Sequence, residues 1–389
     1  MNELAPISKD GVSAPNVKIT KVEVIPLAVP FKWPIQNAGI KTAMDALPST
    51  IVKIHTDADV YGVGETQAWK RQGSAEDQIN QVRILKEYFA PLIIGRSPFD
   101  IASIMTDLNK TLHHSYYCQA PISDALYDVC GRILGVPVYD LLGGKCRDTA
   151  PCSCTLILKK TPEETFENAI EHMERGFKHQ SIKIGLSPEV DFQNVKQLRD
   201  HFGDDIEIRV DANASMNYEQ ALQTLKRLEP FNLELVEQPV PIWDIDGLAA
   251  LSRTVSTPIV ADESVSDDHD LMEVIKKRAA TGFQTKISKN GGIYYIRKMF
   301  TLASAAGLSI YPGNHPTTSI GTAAILHLCA AWPEPIKPGN VATGINSSLA
   351  DDIVVESIKV ENAEAFIPDG PGFGIELDDD KVKKYTADL

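Results

Sequence analysis

The sequence predicts an α/β protein: a parallel barrel preceded by a smaller α+β domain. Three observations lead there. From Ala150 onward, short β-branched runs alternate with segments of helical spacing. Ahead of Ala150, strand-like runs come first and helical ones follow, the order of an α+β domain. Within 206–263, three apolar runs end in Asp211, Glu237 and Asp262, 26 and then 25 residues apart. One strand, one crossover helix and two short loops have about that length.

Size and composition agree. A barrel takes about 250 residues, and the chain has 389, which leaves more than a hundred for a second domain. The expected boundaries are 1–147, 148–350 and a C-terminal segment, 351–389, that returns to the first domain. A hydrophobic content of 43% and a charged content of 23% are those of an ordinary globular protein. The net charge of −14 and the lack of a basic run argue against nucleic acid or an anionic membrane as partner. No apolar run approaches the ~20 residues of a membrane span. The polar start, MNELAPISKDGVSAPN, does not read as a secretory leader. Six cysteines without a Cys-x-x-Cys pair predict neither a zinc site nor a disulfide framework, and a reduced cytoplasmic setting fits. Cys152 and Cys154 read as packing residues on one strand face.

In chain order, residues 1–16 read as a loose leader and Val17–Pro30 as a strand. Phe31–Pro48 is turn-rich and reads as a loop or lid. Thr50–His55 and Val60–Glu65 form a hairpin across Asp57–Asp59. Helical patterns follow at Ala75–Phe89, Asp100–Leu112 and Ser123–Leu134. Barrel strands are expected at Ala150–Ile157, His179–Ile184, Ile206–Val210, Leu233–Val236, Ile259–Ala261, Phe283–Ile287 and Ser309–Tyr311. A helical segment follows each of the first six, from Thr165–Arg175 to Ile293–Ala305. Thr161-Pro162-Glu163-Glu164 has the marks of a helix start, with Thr161 as N-cap. The eighth strand is expected near Asn340–Thr343, and Ile353–Glu361 reads as a further strand before a Pro/Gly-rich tail.

Catalytic groups of a barrel gather at the C-terminal ends of its strands. One carboxylate there is commonly a helix N-cap. Three in register point to a shared ligand, and oxygen-only ligation with room for substrate suits Mg²⁺. Lys183 ends the second strand in SIKIG, and Lys286 ends the sixth in QTKISKNGG. Strands two and six oppose each other in a circle of eight, so the lysines face one another across the metal. Burial beside a divalent cation favours the neutral amine of a lysine, which suits acid–base work. A proton α to a carboxylate is too weakly acidic for lysine alone. A divalent ion on that carboxylate stabilises the enediolate by several kcal/mol.

The set Lys183-Ile-Gly, Val-Asp211-Ala-Asn, Val-Glu237-Gln-Pro, Ala-Asp262-Glu263-Ser and Lys286-Ile-Ser-Lys-Asn-Gly-Gly resembles the enolase superfamily. It is most similar to the mandelate racemase/muconate lactonizing enzyme-like proteins, and within them to the muconate-lactonizing subgroup, over almost the whole chain. The resemblance implies a (β/α)7β modified TIM barrel with an N-terminal α+β capping domain, and a homo-oligomer. It implies Mg²⁺ bound by Asp211, Glu237 and Asp262, Lys183 and Lys286 as the acid/base pair, and Glu263 behind them. The subgroup usually carries Lys-x-Lys on strand two, and here the first position is Ser181. Ser181 and His179 share a face with Lys183 and are candidates for neutral hydrogen bonds; for His179 a packed barrel histidine is the alternative. Asn213 shares a face with Asp211 and is a candidate contact to ligand or metal water. Asn314 and His315 follow strand seven and are candidate substrate contacts. Asp351 and Asp352 are acidic candidates near the last strand. Phe31–Lys41 matches the family's mobile specificity loop, with Trp33, Gln36 and Asn37 as candidate contacts. Tyr116 and Tyr117 read as core.

The expected function is Mg²⁺-dependent removal of a proton α to the carboxylate of a small organic acid, giving racemisation, epimerisation or cycloisomerisation. The alternative is a dehydratase of a hydroxy acid, such as a sugar acid or a hydroxyproline-like acid, with His315 available beside the lysines as an acid. A non-catalytic binding protein on this fold is a third reading, and the complete set of acids and lysines argues against it.

Overall fold

The computed structural model describes residues 15–35, 43–68, 76–156, 161–185 and 187–389. It begins with an antiparallel meander, β1 (Ile19–Ile35), β2 (Met44–Thr56) and β3 (Tyr61–Gln67). The hairpin between β2 and β3 turns at Asp57–Asp59, where the sequence put it. β1 runs past Pro30 into the stretch read as a loop, and Ile35 still faces Met44 of β2. Pro26 and Pro30 lie within the expected strand, and Pro34 lies in the extension read as loop; all three are tolerated because β1 is an edge strand that needs no donor on its open side. The expected loop residues Gln36 and Asn37 lie outside the described residues.

One face of this sheet is covered by α1 (Gln78–Arg83), a π turn (Ile84–Phe89), α2 (Ala90–Ile93) and α3 (Ile101–Thr111). Leu85, Phe89, Ile104 and Leu108 pack there on Ile19, Val24, Val52 and Ile54. The long helix α4 (Tyr116–Leu134) starts earlier than the expected Ser123 and crosses β3 at two glycines. A Cβ on Gly64 would stand 2.0 Å from the carbonyl oxygen of Pro121, and one on Gly62 2.3 Å from that of Ala125. The Gly-Val-Gly of β3 therefore lets the helix backbone lie directly on the strand. α4 ends at the left-handed Gly135, and α5 (Val138–Leu141) follows.

The expected strand Ala150–Ile157 is two strands. β4 (Thr149–Pro151) joins a small outer sheet, and only β5 (Cys154–Leu156) enters the barrel. The break falls at Cys152, whose N–H donates to Ala363. Then strand and helix alternate: α6 (Pro162–Glu174), β6 (His179–Lys183), α7 (Pro188–Phe202), β7 (Glu207–Asp211), α8 (Tyr218–Leu228), β8 (Leu235–Glu237) and α9 (Ile245–Thr254). The series goes on through β9 (Ile259–Ala261), α10 (Asp268–Lys277), β10 (Gly282–Gln284), α11 (Ile293–Ala306), β11 (Ser309–Tyr311) and α12 (Ser319–Ala331). Side chains of Thr161, Ser187, Asn217, Asp244, Asp267 and Thr318 cap six of these helices, which is how the loops enter them.

β5 to β11 form one parallel seven-stranded sheet in sequence order. The eighth position is closed slightly earlier than the expected Asn340–Thr343. The N–H of Lys337 donates to Ile310 (2.9 Å), that of Gly339 to Pro151 (3.2 Å), and Ser153 donates back to Gly339 (2.9 Å). A Cβ on Gly339 would sit 1.7 Å from the Pro312 carbonyl, so only glycine fits this seam. The expected strand Ile353–Glu361 is reduced to β12 (Val360–Glu361), which pairs with β13 (Glu364–Phe366) and through it with β4. Its apolar start is instead held by Asp352, which accepts from Ser319 and Ser357 and pins the segment to α12. The last helix, α13 (Asp379–Tyr385), lies beside β1, where Ala387 N–H donates to Pro26 (2.9 Å). No helix among the described residues is long and apolar enough to cross a membrane.

Candidate active site

Parallel register brings the predicted residues to one end of the sheet. Lys183, Asp211 and Glu237 are the last residues of β6, β7 and β8, paired in that order. Asp262 follows β9 directly, and Lys286 lies two residues beyond β10. Asp211, Glu237, Asp262 and Lys286 are buried; the Lys183 side chain is 14% exposed.

The charges meet in pairs. Lys183 donates to Asp211 Oδ2 and Lys286 to Asp262 Oδ2, with Glu237 Oε1 3.7 Å from Lys286 Nζ. Lys286 Nζ thus stands between two of the carboxylates and Lys183 Nζ on the third. Burial, then the nearby Asp211 charge, pushes the Glu237 carboxyl well above the usual range, against the pull of Lys286. Glu237 Oε1 has no hydrogen-bond partner among the described residues.

The remaining oxygens are held from behind. Asn213 N–H donates to Asp211 Oδ1 (2.8 Å), and its amide bridges Asp211 Oδ2 (3.1 Å) and Glu263 Oε1 (3.0 Å). This works because Asn213 adopts a left-handed turn, which asparagine tolerates. Lys289 donates to Asp262 Oδ1 (2.9 Å), to the Asp262 carbonyl and to Val265 O (2.9 Å). Gln238 Oε1 accepts from Asp262 N–H (3.1 Å) and Ser264 N–H (3.2 Å), tying the ends of β8 and β9 together.

The other predicted residues take varied positions. Ser181 is buried one turn of the pleat below Lys183. Asn314 is engaged with backbone: it accepts from Ile287 N–H (3.3 Å) and donates to Val341 (3.0 Å) and Gly321 (3.2 Å). His315 is buried and stacks on Tyr117, ring centroids 6.1 Å apart and planes 15° apart. His179 lies at the opposite end of its strand, 2.9 Å from Glu234, which also binds Arg209. Burial opposes the charge on Glu234, but the bonds from His179 and Arg209 win and hold its carboxyl down at about 2. Asp351 bonds Lys381 and Tyr385 in the tail, and Trp33 lies in β1 beside the main core.

Sequence reading missed Lys289, Gln238 and the contacts from the N-terminal domain. Tyr116 Oη donates to Asp267 (2.7 Å), Tyr117 stacks on His315, and Ser288 donates to Gln67 (2.7 Å). So β3 and the start of α4 sit over the loops that follow β9, β10 and β11. Only the alternation of β3 hinted at Gln67.

Could these residues hold a cation? Three carboxylates on adjacent strand ends are the right donors for a hard divalent ion, and Glu237 has an oxygen to offer. Among the described residues no three groups already close on one point, because the ammonium groups of Lys183 and Lys286 lie against Asp211 and Asp262. The donor set fits a metal, and the two lysines would have to swing aside to admit it.

Comparison with known proteins follows the same lines. Residues 19–143 match the family described as mandelate racemase/muconate lactonizing enzyme, N-terminal domain, and 164–381 match enolase C-terminal domain-like. Muconate cycloisomerase 1 of Rhodococcus opacus is 34% identical over 379 residues, covering 95% of this chain and 99% of that one. The solved N-succinyl Arg/Lys racemase of Bacillus cereus superposes with a TM-score of 0.90 at 28% identity, over 95% of this chain and 98% of that one. The dipeptide epimerase of Cytophaga hutchinsonii, solved with Mg and a dipeptide, gives 0.88 at 26% identity, over 95% and 98%. These relatives are a cycloisomerase, a racemase and an epimerase, and this chain is an enzyme of the same kind: it belongs to the mandelate racemase/muconate lactonizing enzyme family of the enolase superfamily.

Proposed function

We propose that the protein removes and returns a proton α to the carboxylate of a small organic acid, with Lys183 and Lys286 as the two groups that move it. The observation that carries this is the placement of two lysines on opposed strands, β6 and β10, with three carboxylates on the strand ends between them. Asp211, Glu237 and Asp262 would hold the divalent ion, and Mg²⁺ is the choice supported by the oxygen-only donors and by the Mg in the Cytophaga epimerase. When bound, the ion supplies charge against the negative charge that develops on the substrate carboxylate.

The chain's own groups do the rest. Lys183 Nζ and Lys286 Nζ approach from opposite sides; one takes the proton as a free amine, and the other delivers one as an ammonium. The buried walls around Lys286, with Tyr117 and Gln67 above, exclude water from that side. Racemisation or epimerisation follows when the proton returns on the other face; cycloisomerisation follows when an internal nucleophile adds to a double bond conjugated with the carboxylate and a lysine ammonium protonates the α carbon.

The test is proton NMR in D₂O with Mg²⁺ and a panel of carboxylic acids. Exchange at the α carbon is expected with the wild type, falling about 10²- to 10⁴-fold in Lys183→Ala and in Lys286→Ala. Exchange that survives both substitutions would sink the assignment of the lysines. A 2-keto product would move the reaction to the dehydratases.

A further inference from the structure

Two residues below each strand end, on the same strand face, lies the next interior layer of the barrel. It consists of Ser181, Arg209, Leu235, Val260, Gln284 and Tyr311, the last paired with Gln284 across β10 and β11. All six are buried. Leu235, Val260 and Tyr311 form a small apolar cluster of their own. Arg209 is fully engaged: it donates to both oxygens of Glu234 (2.6 and 2.7 Å) and to Pro338 O (2.6 Å). Two polar groups are left over. Ser181 Oγ and Gln284 Nε2 have no hydrogen-bond partner among the described residues. Ser181 lies under Lys183 and Gln284 under Lys286, so they sit on opposed strands as the lysines do.

An unsatisfied buried polar atom costs about 1–3 kcal/mol, and native proteins rarely leave one so. Two in one layer, each beneath a proposed acid–base group, mark a place where a ligand completes the hydrogen bonding. What this floor offers is a hydroxyl and an amide. Its guanidinium is already neutralised by Glu234. A second carboxylate placed here would be desolvated without a counter-ion from this layer, which is far more unfavourable than burying a neutral polar group.

We propose that Ser181 and Gln284 form the polar floor of the substrate pocket, and that the substrate carries one carboxylate and, beside it, an uncharged hydrogen-bonding group such as a hydroxyl, carbonyl or amide. An oxygen of that group accepts from Gln284 Nε2, while Ser181 Oγ donates or accepts. This rests on the assignment of the lysines and carboxylates proposed above.

The test uses the whole chain with Mg²⁺ and matched acids of one carbon skeleton, bearing either an amide or hydroxyl, or a second carboxylate, at the same position. Binding is read by calorimetry and α-proton exchange by NMR in D₂O, for wild type, Ser181→Ala, Gln284→Met and Ser181→Lys. The neutral acids are expected to bind about tenfold or more tightly than their dicarboxylate partners. Ser181→Ala and Gln284→Met each weaken binding of the neutral acids about tenfold. Ser181→Lys reverses the preference. Unchanged Mg²⁺ affinity and unfolding midpoints no lower than that of the wild type show that the variants are folded. Tighter binding of dicarboxylates by the wild type overturns the proposal, as does unchanged binding in both Ser181→Ala and Gln284→Met, which would leave the floor to water alone. Acids bound in the expected order without any exchange would keep the floor and sink the proton-transfer reading. If no acid of either kind binds, both fall.

Discussion

Lys289 shows what a single buried charge does here. Its ammonium has Asp262 Oδ1 and three backbone carbonyls as partners, and the side chain is buried. Lys289→Met preserves the stem and removes the charge, leaving Asp262 with one cation fewer. Breaking a buried pair in this way costs about 3–5 kcal/mol. Urea unfolding should read a loss of that order, and a loss below about 1 kcal/mol would show that Asp262 is not held through Lys289. The ion pair of Lys381 with Asp351, by contrast, is part-exposed, and Lys381→Ala should change stability by less than about 1 kcal/mol. The positions of Lys183, Asp211 and Glu237 could be read from the sequence because each closes an alternating run, and alternation fixes the face. Lys289 could not. It lies in a turn whose left-handed Gly291 and Gly292 fold it back toward Asp262, and no periodicity reports such a turn.

At the scale of elements, Glu65 of β3 is the joint between the two layers. Its carboxyl is buried at the N-terminus of α12, accepting from Thr318 N–H (3.1 Å), Thr318 Oγ1 (2.7 Å), Gly321 N–H (2.9 Å) and Ser49 Oγ (2.8 Å). Glu65→Ala strands those donors and should destabilise by about 3 kcal/mol or more, whereas Glu65→Gln, which keeps an acceptor oxygen, should lose less. Equal losses in equilibrium unfolding would mean that packing, not hydrogen bonding, sets the joint. α12 also carries His327, whose Nδ1 accepts from Tyr139 N–H (3.3 Å) while Nε2 faces Phe373 O (3.1 Å). That arrangement needs the neutral ring, and burial pushes its pKa down to about 4. An unfolded histidine titrates near 6.5, so the unfolded chain takes the proton first. The contribution is full above about pH 6.5 and is lost as pH falls from there toward 4, by up to about 1.4 kcal/mol per pH unit. His172, also pushed down to about 4 by burial and by Arg175, adds in the same direction. Urea midpoints between pH 7 and 4.5 should show this decline, less steep in His327→Gln; an unaltered slope would count against it. Strand–helix alternation was plain in the sequence because each barrel strand is short and β-branched. The elements misread are those where tertiary context overrules local pattern: the extension of β1 from Phe31 to Ile35, the split of β4 from β5, and the irregular stretch after Asp352.

For the molecule as a whole, a ligand that binds only the folded state stabilises it by about 2.7 kcal/mol at a hundredfold excess over its Kd. Mg²⁺ should therefore raise the thermal midpoint of the wild type, a chelator should reverse the rise, and Asp262→Asn should abolish it. A midpoint indifferent to Mg²⁺ would contradict the assignment of the carboxylates. The overall architecture was legible because the switch of pattern near Ala150 separates two kinds of layer. How the layers dock was not, since Glu65, Gln67 and Tyr117 meet partners some two hundred positions or more away. The C-terminal segment reaches further still, with Thr386 bridging to Leu27 and Ala387 bonding to Pro26. A nascent chain leaving the ribosome thus exposes β1 with its outer edge bare through the entire synthesis of the barrel. That edge is met at Phe31 by Leu349 and at Leu27 only by Thr386, so this strand is protected only after the barrel that follows it. In the interval its safeguard against sticking to other chains is the row of prolines at Pro26, Pro30 and Pro34.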